Sequence, residues 1–264
     1  MASMNTIKVT RIFLIYVLML LGFLDSPFFI QRVAFAFSHD VSLPGLDPNN
    51  EHRMWVNLKE KPWCIIGRVQ TELGQKCTGF FIAPRLIMTA AHCLWIKKTN
   101  RLVPTRSVHF LWGYQKGYYI KDIKIKQIVI NKEYVGQSKI NVPLNNIVKD
   151  RAYLVVDKAT INSKDIVPLQ SISSLSHAAL WLGGYEQDKK EVFQVDPHCN
   201  ITNIIQVNTH QKVIEHNCEA TFGSSGSPLF VKDKNKEWSI IGMQIAAFTA
   251  GKGGIANPIL QLMQ

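Results

Sequence analysis

Short apolar segments separated by turn-forming residues recur from residue 55 to residue 245, and this pattern constrains the fold more than any other feature. The segments are too short for ordinary helices, and in one of them Lys124 and Lys126 alternate with Ile123 and Ile125, as in a half-buried strand. Many short strands at this spacing predict an all-β sandwich or barrels. The predicted strands are 64–70, 79–82, 86–89, 108–112, 123–130, 153–156, 178–182, 192–195, 201–207, 213–216, 229–231 and 239–245.

Only two stretches favour a helix, a short one after Cys93 and the C-terminal residues 258–264. At 264 residues the chain can hold one domain or two closely packed ones, and 47% hydrophobic content suffices for a core. This composition excludes the disordered and fibrous classes. Residues 251–254 are interpreted as a flexible rim loop rather than a phosphate-binding loop, because no strand–loop–helix pattern surrounds them.

The N-terminus has the order of a secretory signal peptide. A basic start precedes an apolar run, residues 12–24, that is short for a membrane span. Ala34-Phe35-Ala36 supplies a small-x-small cleavage site, so residues 1–36 are predicted to be removed from a secreted or periplasmic protein. An uncleaved membrane anchor that also uses residues 28–30 is the alternative.

The chain is basic, with a formal charge of +11 that becomes about +9 once residues 1–36 are removed, leaving 27 basic and 18 acidic residues. A basic surface can favour anionic partners such as nucleic acid or membranes. Here the lysines are scattered, so the charge is interpreted as an aid to solubility. We therefore expect no nucleic-acid partner and no stable membrane association after the signal peptide is removed.

Five cysteines in an exported chain predict disulfides. Cys77 and Cys93 flank one candidate active-site segment, and Cys199 and Cys218 flank the approach to another, so these are the expected pairs. Cys64 lies in an apolar run and is predicted to be a buried free thiol. Because no Cys-x-x-Cys pair occurs, the spacing does not match a zinc site, and neither a metal nor another cofactor is expected.

The segment 223–228, Gly-Ser-Ser-Gly-Ser-Pro, has the residue types that an attacking serine needs. The hydroxyl of Ser225 must reach a carbonyl carbon from an exposed, sharply turned backbone, which Gly223 and Gly226 permit. The same turn can aim the main-chain N–H groups of Gly223 and Ser225 at one oxyanion. Taken alone, such a Ser/Gly-rich turn is also common in ordinary loops.

Two further candidate residues lie upstream. His92 belongs to the segment 89–93, Thr-Ala-Ala-His-Cys, and an imidazole can take a proton near neutral pH and later return it. Asp150 precedes Ala-x-Leu at residues 152–154, at the entry of a predicted strand. Asp157 is an alternative acid, but it follows that strand and lacks the same context.

These segments occur in the order His, Asp, Ser, and together they resemble the trypsin-like serine proteases, which have the chymotrypsin fold, over about residues 55–260. The resemblance implies two packed six-stranded antiparallel β-barrels with a short C-terminal helix. It also implies that His92 is the general base, that Asp150 orients its imidazole and that Ser225 is the nucleophile. The predicted organisation is a signal peptide at 1–36, an N-terminal arm or propeptide remnant at 37–54, an N-terminal barrel at 55–160 and a C-terminal barrel at 161–264.

Ser224 separates the chain from animal trypsin-like enzymes, which usually carry an aspartate there to bind the freshly cut N-terminal amine. No Ile-Val-Gly-Gly-like start follows a basic residue either, so that mode of activation is not expected. The text Gly-x-Ser-Gly-Ser-Pro, the preceding Cys218 and the segment 65–67 are similar to the bacterial glutamyl-endopeptidase, or V8-like, branch. Within that branch, residues 41–53 can hold a processed N-terminus.

The predicted substrate pocket is placed by counting back from Ser225 and along residues 242–247. Gln244 stands on its wall, where glutamate-specific relatives carry a histidine, and this disfavours a preference for acidic residues. If Glu219 points into the pocket, basic residues are preferred, whereas if it faces solvent the pocket is mixed. The predicted pocket residues are Glu219, Ala220, Phe222 and Gln244.

The predicted function is that of an exported serine endopeptidase, a monomer that hydrolyses proteins or peptides through an acyl-enzyme on Ser225. The alternative from another class is a catalytically silent, protease-like binding protein. The presence of all three catalytic candidates and both oxyanion positions argues against it. A periplasmic protease-chaperone usually carries a peptide-binding domain after the protease barrels, and only about 40 residues follow Ser225 here.

Overall fold

The computed structural model describes residues 43–47, 52–136, 143–172 and 179–263. The predicted signal peptide and its cleavage site lie outside these ranges, as does most of the predicted arm. Strands dominate the described residues, among which no helix is long and apolar enough to cross a bilayer. The strands are β1 Met54–Trp55, β2 Ile66–Thr71, β3 Lys76–Ala83, β4 Leu86–Thr89, β5 Trp95–Ile96, β6 Arg101–Leu102, β7 Val108–Trp112, β8 Lys121–Ile130, β9 Ala152–Val156, β10 Ala179–Gly184, β11 Gln194–Gln206, β12 Lys212–His216, β13 Pro228–Lys232, β14 Trp238–Ala247 and β15 Gly254–Pro258.

Helical structure within the same ranges is short. Two α-helices of one turn occur, α1 Leu144–Ile147 and α2 Ile259–Leu262, and α2 is the predicted C-terminal helix. The 3-10 turns are Trp63–Ile65, Ala91–Leu94, Thr105–Ser107, Ser163–Asp165 and Gln187–Lys189.

The first barrel closes in the order β2-β3-β4-β9-β8-β7, with antiparallel neighbours. Strand β8 shows how the sequence produces its wall, since Ile123 and Ile125 are buried while Lys124 and Lys126 are exposed. An irregularity near Gln127 then interrupts the alternation, so that Lys126 and Gln127 both face solvent. The apolar face of such strands fills the barrel, and the lysines stay in water.

The second barrel is formed by β11-β10-β13-β14-β15-β12 and is closed by the pairing of β11 with β12. The predicted fold of two six-stranded barrels is therefore confirmed. The strands predicted at 192–195 and 201–207 are a single strand, β11. Pro197 is accommodated within it because it lies where the ladder with β10 shifts its register, opposite Trp181.

Strand β15 was not predicted, because residues 251–254 read as a loop and the residues that follow show little alternation. Gly254 starts this strand and pairs with both Ala247 of β14 and His216 of β12. A Cβ at Gly254 would collide with the carbonyl oxygen of Ala246, so the close approach of the two strands requires glycine.

The helix predicted after Cys93 is wrong. The 3-10 turn Ala91–Leu94 leads instead into the two-stranded ribbon of β5 and β6. A tight turn connects these strands: the N–H of Thr99 donates to the carbonyl of Ile96 at 3.2 Å, and Asn100 has a left-handed φ of 53°.

The segment before β2 packs on the second barrel, although the predicted boundary at residue 55 assigns it to the first. Strand β1 pairs with β11. The Trp63 ring lies 5.2 Å from that of Phe230 and 5.5 Å from that of Trp238, measured between centroids. Residues 54–63 therefore pack on the second barrel before the chain enters the first at β2.

The disulfides are Cys77–Cys93 in the first barrel and Cys199–Cys218 in the second, which is the pairing expected from the sequence. Cys64 is a free thiol but is half-buried rather than buried. Its burial, with the nearby charge of Asp165, raises the pKa of the thiol.

Candidate active site

His92 and Asp150 meet because of the register between β4 and β9. Thr89 at the end of β4 pairs with Ala152 at the start of β9, so the residues just beyond these ends lie side by side. Nδ1 of His92 lies 2.7 Å from Oδ2 of Asp150, and the backbone N–H of His92 donates to Oδ1 at 2.9 Å. Both carboxylate oxygens of Asp150 are therefore occupied by His92.

The charge of Asp150 also sets the protonation of His92. Burial lowers the pKa of the imidazole, but the Asp150 charge and hydrogen bond outweigh this and raise the pKa above its usual value. In the neutral ring, the bond from Nδ1–H to the carboxylate leaves Nε2 as the proton acceptor. The alternative acid, Asp157, is exposed and pairs with Lys126 at 3.2 Å on the surface.

Ser225 lies on the loop before β13, between two glycines whose backbone excludes other residues. Gly223 has φ +99° and Gly226 has φ +83°, both in the left-handed region. A Cβ at Gly223 would collide with the carbonyl oxygen of Tyr185, and one at Gly226 with that of Thr78. The sharp turn that carries Ser225 therefore depends on both glycines.

The first barrel holds this loop through Thr78 in β3, which the sequence analysis did not single out. The Thr78 N–H donates to the Ser225 carbonyl, and its Oγ1 donates to the Gly223 carbonyl, both at 2.9 Å. Sγ of Cys93 lies 3.9 Å from the Ser225 carbonyl oxygen. The backbone of Ser225 is thus fixed beside the residue that follows His92.

The polar groups of the loop fall into two sets. The side chain of Ser224 is buried, and its Oγ donates to the Thr221 carbonyl at 2.7 Å, so it shapes the turn. Among the described residues, the N–H groups of Gly223 and Ser225 have no hydrogen-bond partner. Oγ of Ser225 makes only a long bond, 3.4 Å to the carbonyl of Ile245. A half-buried hydroxyl and two N–H groups without a partner are the kinds of group that acyl transfer can use.

Gln244 is buried, and both ends of its amide are bonded. Its Oε1 accepts from Nε2 of His216 at 2.6 Å, and its Nε2 donates to the Ala246 carbonyl at 3.0 Å. Burial lowers the pKa of His216 to about 4, so the ring is neutral near pH 7. Nδ1 of His216 accepts from the N–H of Cys218 at 3.2 Å, which agrees with a proton on Nε2.

Glu219 is buried, so the alternative in which it faces solvent is wrong. Its Oε2 accepts the backbone N–H of His52 at 2.9 Å, and its own N–H donates to Oδ2 of Asp196 at 2.8 Å. Lys252 lies 3.2 Å from that same Asp196 oxygen. Phe222, by contrast, is 57% exposed on the loop that carries Ser225.

A short N-terminal segment, residues 43–47, lies between the predicted walls of the pocket. The carbonyl of Gly45 accepts the N–H groups of Ala220 and Gly253, both at 3.2 Å. A Cβ at Gly45 would be 2.9 Å from Cβ of Ala247 and would collide with the Ala220 carbonyl oxygen. The sequence offered no signal for this contact, because the segment read as part of a loose arm.

Cys77, His92 and Cys93 bring one potential metal-ligating atom each within 4.8 Å of the others. Both sulfurs are used in the Cys77–Cys93 disulfide, so this group does not supply thiolate ligands.

Comparison with known proteins places the chain in a family. The family described as Trypsin matches residues 55–263. A search of curated proteins finds no significant match. A solved structure titled "Structure of Glu endopeptidase in complex with MPD" is similar, with a TM-score of 0.63 and 20% sequence identity. The match covers 80% of this chain and 92% of that chain. At this identity the likeness shows the fold alone. The chain therefore belongs to the trypsin family, and it is a serine endopeptidase, a hydrolase whose substrates are proteins or peptides.

Proposed function

We propose that the protein is an exported serine endopeptidase in which Ser225 forms an acyl-enzyme with the substrate. The observation that carries the proposal is the double contact of Asp150 with His92, whose neighbour Cys93 lies against the turn that carries the half-buried Ser225. In this arrangement the neutral imidazole offers Nε2 as a base, which is what a serine hydroxyl of ordinary pKa requires.

The reaction follows from these groups. Oγ of Ser225 attacks the peptide carbonyl carbon while its proton passes to Nε2 of His92, and the negative oxygen that forms is bound by the N–H groups of Gly223 and Ser225. The imidazolium, stabilised by Asp150, then donates the proton to the leaving amine, and the C–N bond breaks. Water attacks the resulting ester by the same route, which releases the acid and restores Ser225.

Export is supported by the disulfides Cys77–Cys93 and Cys199–Cys218 and by the signal-like N-terminal sequence. We assign the protein to the periplasm or the medium of a bacterial cell, as a monomer without a nucleic-acid partner or a stable membrane association after signal cleavage.

Covalent labelling tests the function. We expect a fluorophosphonate probe to label the chain that starts at Phe37, prepared under oxidising conditions, and to leave the Ser225→Ala variant unlabelled. A folded wild type that takes no label and cleaves no peptide would contradict the proposal and favour the silent binding protein, which the long bond from Ser225 to Ile245 would also suit.

The pocket supports a preference at the cleaved bond that the sequence did not predict. The carboxylate of Glu219 is bonded to the backbone N–H of His52, the amide of Gln244 is bonded to His216, and Gly45 occupies the space between Ala220 and Ala247. No free charge among these residues is available to pair with a charged substrate side chain. We infer a narrow, uncharged pocket.

We expect peptides with a small uncharged residue before the scissile bond to be cleaved at least about tenfold faster than those with glutamate, lysine or arginine there, since an unpaired buried charge costs several kcal/mol. A panel that varies only this residue measures the effect, and equal rates would contradict it. A chain that starts at Pro48 lacks residues 43–47 but keeps Arg53, and it should accept larger apolar residues if Gly45 limits the pocket.

A further inference from the structure

Arg53, one residue before β1, places a buried cation among three carboxylates. Its side chain is only 4% exposed. It donates to Oε2 of Glu186 and makes two bonds to Asp188, at 3.1 and 2.6 Å. Its Nε lies 3.9 Å from Oε2 of Glu219. A cation this deeply buried is stable only where its partners compensate its charge, so the geometry of Arg53 and its carboxylate partners is strongly constrained.

The acidic partners depend on Arg53 in turn. Glu186 is 1% exposed, and burial raises its pKa to about 8 against the opposing effect of Arg53. Arg53 lowers the pKa of Asp188, whose burial acts in the opposite direction. Removal of the guanidinium would leave Glu186 and Asp188 close together without a counter-charge, so the segment that carries them would have to rearrange.

That segment directly contacts the nucleophile loop, residues 219–226. Oε1 of Glu186 accepts the N–H of Thr221 at 3.4 Å, and the N–H of Gln187 donates to the Phe222 carbonyl at 2.6 Å. The Cβ position of Gly223 is 3.3 Å from Cα of Glu186. Residues 185–187 therefore form the surface on which residues 221–223 pack. The position of the Gly223 N–H depends on this packing.

Glu219 joins the same N-terminal segment to the start of the loop. It accepts the His52 N–H, and only Ala220 separates it from Thr221. The segment around Arg53 thus contacts the loop at two points, through Glu186 and through Glu219. A purely structural ion pair would need neither contact with the turn that carries Ser225.

We propose that Arg53 is a positioning residue for peptide hydrolysis, acting through Glu186 on residues 221–223 so that the Gly223 N–H is held ready for the oxyanion. The inference rests on the proposed acyl-enzyme function. It assigns the N-terminal segment a role in organising the active site, although none of its side chains takes part in the chemistry.

The test uses Arg53→Met, which keeps the apolar stem, and Arg53→Lys, which keeps a charge without the bidentate fork. We expect kcat for a peptide substrate to fall about 10- to 100-fold in Arg53→Met, as for a displaced oxyanion donor, with less change in KM. Arg53→Lys should lie between Arg53→Met and the wild type. Amide hydrogen exchange of residues 219–226 should be slowest in the wild type, intermediate in Arg53→Lys and fastest in Arg53→Met.

The matched control is Arg68→Met. Arg68 is also buried and paired, with Glu191 at 3.3 Å, but its other contacts are to Gln70, Tyr114 and the carbonyl of Lys190 rather than to the nucleophile loop. Arg68→Met should lower the free energy of unfolding but keep kcat within about threefold of the wild type. An ion pair that only stabilises the fold does not affect the transition state of hydrolysis.

Each outcome decides between the alternatives. The inference is overturned if Arg53→Met folds and keeps the wild-type kcat and amide exchange. It is also overturned if the kcat of Arg53→Met falls no more than that of Arg68→Met. If Arg53→Met does not fold, Glu186→Gln, which replaces the carboxyl group with an amide of similar shape, and Arg53→Lys carry the same comparison. If the wild type itself is not labelled by fluorophosphonate, the proposed function fails. Exchange at residues 219–226 that is the same in Arg53→Met and the wild type then overturns the inference as well. Faster exchange in Arg53→Met would still show that Arg53 orders the loop.

Discussion

Replacing Asp150 with asparagine is expected to lower kcat by about 10⁴-fold while leaving the fold intact, because it places the proton of His92 on the wrong nitrogen. In the structure the backbone N–H of His92 can only donate, and it occupies Oδ1 of Asp150. In Asp150→Asn the single oxygen of the new amide would be kept at that position, so the amide NH₂ would face Nδ1. Nδ1 must then accept, the proton moves to Nε2, and the base that Ser225 needs is lost.

The pH dependence of labelling follows from the same contact. The active form of His92 is neutral, and Asp150 raises the pKa of the ring, so the wild-type labelling rate should rise with pH through an inflection above the usual imidazole value of about 6.5. In Asp150→Asn the inflection should move down, because the stabilising charge is gone. Asp157→Asn is the control, since Asp157 is paired with Lys126 on the surface and should keep kcat within about twofold. Near-normal turnover in Asp150→Asn, or an equal loss in Asp157→Asn, would contradict the assignment.

The parts of the site that could be predicted are those encoded by contiguous residues. The turn around Ser225 requires Gly223 and Gly226, which lie within two residues of it. His92 likewise follows closely on the strand that leads to it in the chain. The barrels were predictable for the same reason, because alternation along β8 reports on one strand at a time. The pairing of Thr89 with Ala152 then brings Asp150 to His92 without further information.

The parts that could not be predicted depend on contacts between distant segments. Arg53 is 133 residues from Glu186, and no local pattern distinguishes it from an arginine on a solvated arm. The orientation of Glu219 was left open for the same reason, because its partner is the His52 N–H, 167 residues away. Gly45 lies in a turn-rich stretch, and no local pattern indicates that its carbonyl accepts the N–H groups of Ala220 and Gly253. Burial and ion pairing of this kind are properties of the assembled barrels, whereas propensity reports only on neighbours.

Replacing Gly223 with alanine should also lower kcat strongly, although less than Asp150→Asn, for a steric reason. The residue has φ +99°, where a side chain is strained, and a Cβ there would meet the backbone carbonyl of Tyr185, which cannot rotate away. The loop must therefore shift, and the Gly223 N–H moves with it. Loss of one oxyanion donor lowers kcat by about 100- to 1000-fold, and we expect a fall in this range with a smaller change in KM, measured with the best peptide of the panel.

Gly74→Ala separates this effect from backbone strain alone. Gly74 lies in the turn between β2 and β3 with φ +88°, close to the φ of Gly223, but a Cβ there meets no atom within 4 Å. This variant should lose about 1 kcal/mol of folding free energy through the left-handed backbone and keep its kcat. If Gly223→Ala behaved like Gly74→Ala, with a lower melting temperature and unchanged kcat, the Gly223 N–H would not be an oxyanion donor. If both catalytic rate and loop exchange change in Gly223→Ala and neither changes in Gly74→Ala, the support that residues 185–187 give to this turn is what holds the donor in place.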